Sequence, residues 1–275
     1  ITLTNLSEKN KCNIHFRKGV KLADTINLVD TTGKCPTVNE DGTVNVTSAE
    51  SENSLLCSAP DNYGTSYYFR GNVSNNYVKF ANFYWRIVRI NGDNSIRLIY
   101  DGTVAHANGE TSDDRIIGTS AFNEKNYANA YIGYMYGKMG ASTYAETHAN
   151  TNNSTIKTYL DTWYENNIKG TTNEQYIADN IFCNDRSFAP NNTGKGTSAY
   201  FTYYRWYNDA GTTQNSKMML TCPQKNDAFT VNDTIKGNGA LTYPIALLSF
   251  DEVTLAGGWN VSNINYYLSN NAKQW

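Results

Sequence analysis

Three histidines, five cysteines and a scatter of carboxylates are the residues of this chain whose types do chemistry. His106 and His148, with Asp113 and Ser154, supply the base, acid and hydroxyl types a hydrolase needs. No G-x-S-x-G or comparable motif accompanies them, so the expectation is a protein without catalytic activity. Asp101, Glu110, Asp113 and Asp114 could gather around calcium, which takes carboxylate and carbonyl oxygens. Their spacing follows no D-x-D-x-D-G loop. The simpler expectation is solvated turn carboxylates and no cofactor. Asp185-Arg186 reads as a structural ion pair. Tyr203, Tyr204, Trp206 and Tyr207 form an aromatic cluster that either stacks on sugar rings or packs a core. Tyr134 and Tyr136 are added to them as candidate ligand-binding residues, since Tyr and Asn suit adaptable binding surfaces.

The cysteines are Cys12, Cys35, Cys57, Cys183 and Cys222. None forms a C-x-x-C pair, and no clustered zinc ligands accompany them. Disulfides are the better reading. Cys35 with Cys57, and Cys183 with Cys222, each close a loop rich in turn residues. Cys12 is left free or paired outside this stretch. Two bridges fit an oxidising, extracellular setting.

Charged residues make up only 17% of the chain and the net charge is −2, which gives no case for nucleic acid or an anionic membrane. The polar surface comes from uncharged groups, with 38 asparagines and 21 tyrosines. No apolar run approaches the roughly 18 residues that span a bilayer. Ile1 follows no Met and no signal peptide is visible, so a mature or trimmed fragment is expected.

The element that must position all of this is residues 75–103, the densest strand signal in the chain. β-branched and aromatic residues crowd it, and they suit a pleated, half-buried surface. From Trp85 the pattern alternates, and Asn91-Gly92 promises a tight hairpin turn with positive φ before Ile96, Leu98 and Tyr100. Apolar groups on both faces predict a hairpin covered on both sides. Strands are expected at 13–16, 66–70, 244–248 and 265–268. Helices are expected at 19–30, 153–168 and 174–182, with a short one after Ser249, where Ser249 and Glu252 have capping-box spacing. Residues 1–64 read as an N-terminal helix with a disulfide-held excursion, and 65–275 as the main domain. The stretches 101–152 and 184–221 have little periodicity and are expected to share one ligand-facing surface.

The runs YVKFANFYWRIVRINGDNSIRLIYDGT, FCNDRS, LTCPQKND and LTYPIALLSFDEVTLAGG resemble features of a family of secreted surface proteins of gut Firmicutes and relatives. That family is similar to the C-type-lectin-like fold of formylglycine-generating enzymes. The resemblance covers about residues 55–275. It implies an α+β, C-type-lectin-like mixed domain with a central antiparallel hairpin, two or three helices and long loops. It also implies further closing strands after the point where this chain stops. The copper-binding cysteine pair of formylglycine-generating enzymes has no counterpart after Cys222, so that chemistry is not expected.

The function expected is therefore a secreted or cell-surface binding module, adhesin-like, for a glycan or a host or bacterial surface protein. The alternative is a structural subunit of a bacterial surface filament or layer that self-assembles by strand addition.

Overall fold

A computed structural model describes residues 2–3, 14–15, 35–46, 54–124, 133–139, 141, 143–186, 217–258 and 265–270. The helix expected at 19–30, Cys12 and the aromatic cluster at 203–207 lie outside them.

The aromatic and β-branched runs form one antiparallel sheet. Its strands are β1 (Leu55–Pro60), β2 (Thr65–Arg70), β3 (Tyr77–Phe80), β4 (Phe83–Ile90) and β5 (Ile96–Gly102). β4 is the hub. It pairs with β2 through Arg89 and Ile90, with β3 through residues 83–86, and with β5 along its length. The β3–β4 hairpin turns on Ala81 and Asn82, both at positive φ, as a two-residue turn demands.

The β4–β5 turn differs from expectation. Asn94, not Gly92, takes the left-handed conformation, at φ 69°. Asn91 N donates to Ser95 O and Asn94 N to Asn91 O, a turn followed by one left-handed residue. The ladder slips register between Tyr84 and Trp85, where Asp101 is the extra residue, and between Ile87 and Arg89, where Val88 is. Such bulges re-aim side chains.

The chain forms two compact units, and both mix antiparallel sheet with few helices. The first comprises Ile1–Gly118, Met218–Leu220 and Phe250–Trp275. The second comprises Thr119–Lys217 and Thr221–Ser249. A division at 64/65 would cut the hairpin in which β1 pairs with β2 from Leu55↔Arg70 to Pro60↔Thr65.

In the first unit Leu55, Val73, Val78, Ile87, Ile90 and Leu255 are buried. The short helix Phe250–Leu255 ends on Arg70, whose Nη1 donates to the carbonyls of Thr254 and Leu255 at 2.9 and 2.8 Å. A cation there complements the helix C-terminus. Glu252, on this helix, reaches the sheet: its Oε1 accepts from Arg89 Nε at 3.1 Å. Residues 265–268 form a turn rather than a strand.

In the second unit the helix Thr155–Asn167 starts at Ser154, whose side chain accepts from Lys157 N. Its buried stripe is Lys157, Leu160 and Tyr164, with the Lys157 ammonium on Asp161 and Thr242. The helix expected at 174–182 is only a 3-10 turn, Glu174–Tyr176, followed by extended chain into the strand Phe182–Cys183. The run 244–248 is irregular and half-buried, not a buried strand.

Both expected disulfides are present. Cys35–Cys57 has a Cα separation of 5.6 Å and Cys183–Cys222 one of 5.4 Å. The second spans 39 positions of sequence. Loop-closure entropy then predicts that replacing both Cys183 and Cys222 by serine costs about 3–4 kcal/mol. Chemical denaturation of the double variant measures this, and a loss under about 1 kcal/mol would show the unit is held by its packing alone. No helix among the described residues is long and apolar enough to cross a membrane.

Candidate functional site

The second unit holds the best-built platform, at the root of the segment 187–216 that carries Tyr203, Tyr204, Trp206 and Tyr207. The chain enters that segment from Arg186. Arg186 is fully buried, and its partner is Asp227, not the adjacent Asp185. Its backbone N donates to Asp227 Oδ2 at 2.8 Å and its Nε to Oδ1 at 2.7 Å. Nη1 donates to Met135 O at 2.7 Å and Nη2 to Asn226 O at 3.2 Å. The guanidinium also lies 5.4 Å from the Phe229 ring centroid. A buried charge needs this degree of pairing to be tolerated.

Three further ties fix the same root. Cys183 is bridged to Cys222 and pairs in register with Ala228. Asn184 N donates to Asp227 O, and Asn184 Oδ1 accepts from Tyr134 N at 2.8 Å. Gly133 must lack a side chain, because a Cβ there would lie 2.6 Å from Met135 O and 2.7 Å from Arg186 Cδ. The strand Met135–Tyr136 and residues 184–186 are thus joined directly. Parts of the two stretches expected to cooperate, 101–152 and 184–221, meet here.

Tyr134 itself is core. It is buried with Met135, Phe229 and Leu241, and its hydroxyl donates to Leu247 O at 2.8 Å. That position removes it from a ligand-facing surface. Tyr136 is half-buried on the strand that pairs with Asn152 and Asn153. Beside this core, the loop after Phe229 is pinned by Asp179, whose carboxylate accepts from the amides of Val231, Asn232 and Asp233. Nothing in the sequence marked Asp179 or Asp227.

The hydrolase candidates have other duties. Ser154 is the helix cap described above. His148 is buried, with Nδ1 2.8 Å from Thr147 Oγ1. In the first unit, His106 lies between Glu110 and Asp114 at 2.8 and 2.9 Å.

Of the calcium candidates, Asp101, Glu110 and Asp114 are likewise engaged by protein. Asp101 is buried and accepts from Arg86 Nε at 3.1 Å and Arg115 Nε at 2.8 Å. Arg86 also reaches Asn76 Oδ1, Val73 O and His106 O, and the Tyr77 ring lies over its guanidinium at 3.5 Å. Arg115 reaches the carbonyls of Glu110, Ser269 and Tyr267. Asp113 is exposed. Among the described residues no group of three or more metal-ligating side chains is placed to hold an ion.

Comparison of the chain with protein-family models, with characterised proteins and with solved structures found no match.

Proposed function

We propose that this chain is a secreted or cell-surface recognition module of C-type-lectin-like fold that binds a glycan or a surface protein through residues 187–216. The observation that carries this reading is the immobilised root of that segment: a disulfide, a buried Arg186–Asp227 pair and the Tyr134–Asn184 tie all converge on four residues. Fixing the chain where it enters a long aromatic segment lowers the ordering cost of binding. Its Tyr203, Tyr204, Trp206 and Tyr207 supply faces for stacking on sugar rings and edges for hydrogen bonds. The low charge fits a neutral ligand, and two disulfides fit an oxidising compartment.

Self-assembly into a surface filament by strand addition needs an open sheet edge. Among the described strands of this sheet β1 and β5 each pair on one side; β1 finishes in Pro60, a residue that guards an edge, whereas β5 carries no proline. Recognition is the better-supported reading.

The test is a screen of the oxidised full chain against glycan and surface-protein arrays. Trp206→Ala should then lose at least tenfold in affinity, about 1.4 kcal/mol, with an unchanged melting temperature. Absence of any ligand, or a Trp206→Ala variant that unfolds, removes the reading. A large oligomer by sizing chromatography would favour the filament instead.

A further inference from the structure

We propose that His106 is the pin of a pH-operated latch: as an imidazolium clamped between Glu110 and Asp114 it holds residues 103–114 against the end of β5, and it loses that grip on giving up its proton. Both ring nitrogens face carboxylate oxygens, Nδ1 to Glu110 Oε1 at 2.8 Å and Nε2 to Asp114 Oδ2 at 2.9 Å. Only the doubly protonated ring can donate to both. A neutral imidazole has one N–H and one lone pair, so one carboxylate would meet a lone pair.

The two carboxylates also carry the backbone of the segment. Glu110 Oε2 accepts from Ala107 N at 2.9 Å. Asp114 accepts from Thr103 N and Thr103 Oγ1, both at 2.9 Å. Gly102 makes the seat: at φ +117° it lies so close that a Cβ would be 2.3 Å from Asp114 Oδ2 and 3.0 Å from His106 Nε2. On the other side, His106 O accepts from the buried Arg86 Nη2 at 2.7 Å. The ring thus ties the exposed turn carrying Val104, through Asp114, to a residue whose own carbonyl is anchored on the buried Arg86.

The charged surroundings favour the imidazolium. Glu110 and Asp114 face the ring from its own segment, and Asp101 adds negative charge from β5. Arg86 and Arg115 oppose them, and Asp101, which pairs with both, offsets one of these two positive charges. Tyr100 lies near Asp114, and burial with that charge keeps its phenol protonated. Burial works against charging His106, yet the hydrogen bonds to Asp114 and Glu110 and the charges of Glu110 and Asp101 outweigh it, so the ring titrates above its ordinary value. The bond to His106 and the Ala107 amide hold Glu110 below the ordinary carboxylate range. Asp114 is held low too: burial raises it, but the bonds from His106 and Thr103 prevail.

The sign follows from linkage. A raised histidine contributes fully below its unfolded value of about 6.5, and the contribution disappears as pH rises through the folded value. The lowered carboxylates contribute above about pH 4 and fail as pH falls through their folded values. The latch is closed between those limits and opens on the alkaline side as pH rises through the folded value of His106.

Nitrogen-15 correlation spectra of the histidine rings test this on the intact chain, which has only three histidines. His106 should show both ring nitrogens protonated at about pH 6 and a midpoint above about 6.5. Glu110→Gln and Asp114→Asn should each lower that midpoint. Amide protection factors of Thr103, Val104 and Ala107 should fall as His106 deprotonates, by about tenfold for each pH unit by which its midpoint exceeds the unfolded value. In His106→Gln the protection of these amides should no longer change across that range. A His106 midpoint at or below about 6.5, or protection that stays flat through its titration, overturns the latch. If a carboxylate variant fails to fold, the titration and exchange of the unaltered chain decide the matter alone.

Discussion

Asp101→Ala is expected to cost about 3–5 kcal/mol, because it strips the shared counter-ion from two buried guanidiniums. Arg86 and Arg115 both donate to this carboxylate, and neither has solvent to fall back on. In a unit of this size the melting temperature should drop by roughly 10 °C. The loss should spread along the partners. Arg115 ties Tyr267 O and Ser269 O to the sheet, and Arg86 ties Val73 O and His106 O. Exchange at amides of residues 265–270 should therefore rise before global unfolding. Asp113→Ala, two residues before Arg115 and exposed, is the control and should stay within about 0.5 kcal/mol. An Asp101→Ala variant as stable as that control would mean that backbone carbonyls alone satisfy both arginines. Asp101→Asn keeps an acceptor and should fall between the two.

The same pair of arginines shows what the sequence conceals. The sheet was legible, since aromatic and β-branched residues at 75–103 have few other uses, and the two hairpins of that stretch appear with β4 at their centre. The disulfides were legible because turn-rich loops bring their ends together. The buried ions were not. Arg89 pairs with Asp61 and Glu252, 28 and 163 positions away, and no local pattern announces such a partner. Asp101-Gly102 closes β5, and the bulge there turns Asp101 inward, which nothing local in the sequence announces.

The misplaced elements have similar causes. The expected helix at 174–182 stops at Tyr176, and beyond it Asp179 is held by tertiary bonds to three amides of the 231–233 loop. Residues 265–268 alternate like a strand, but Tyr267 N goes to Gly71 O and its carbonyl to Arg115. The apolar run at 244–248 has no ladder, and Tyr134 Oη donates to Leu247 O instead. At the candidate site, Tyr134 was chosen for its type, and its burial depends on Phe229 and Leu241, far along the chain.

Gly92→Ala should destabilise by about 3 kcal/mol even though Gly92 does not have a positive φ. Its backbone touches the neighbouring turn. A Cβ at Gly92 would sit 2.4 Å from Gly64 N, 2.7 Å from Gly64 C and 2.6 Å from Asp61 Oδ1. Backbone against backbone leaves no flexible side chain to yield, so the two turns must part. Overpacking of this kind costs about 1–3 kcal/mol. Parting also breaks the bond from Gly92 N to Asp61 Oδ2, 2.9 Å long, and loosens a carboxylate that holds Tyr63 N, Gly64 N and Arg89. Leaving those groups unpaired adds about 1–3 kcal/mol. Gly92→Val should be worse. The informative comparison is Gly92→Asn. Asparagine tolerates left-handed backbone, so a turn that needed glycine for its φ would accept Asn far better than Ala. The close approach to Gly64 rejects both equally. Gly170, at φ +73° with open space around it, is the control, and alanine there should cost only about 1 kcal/mol. Melting curves of the three variants separate the causes: an Asn variant near the parent protein and well above the Ala variant would return the turn to backbone strain.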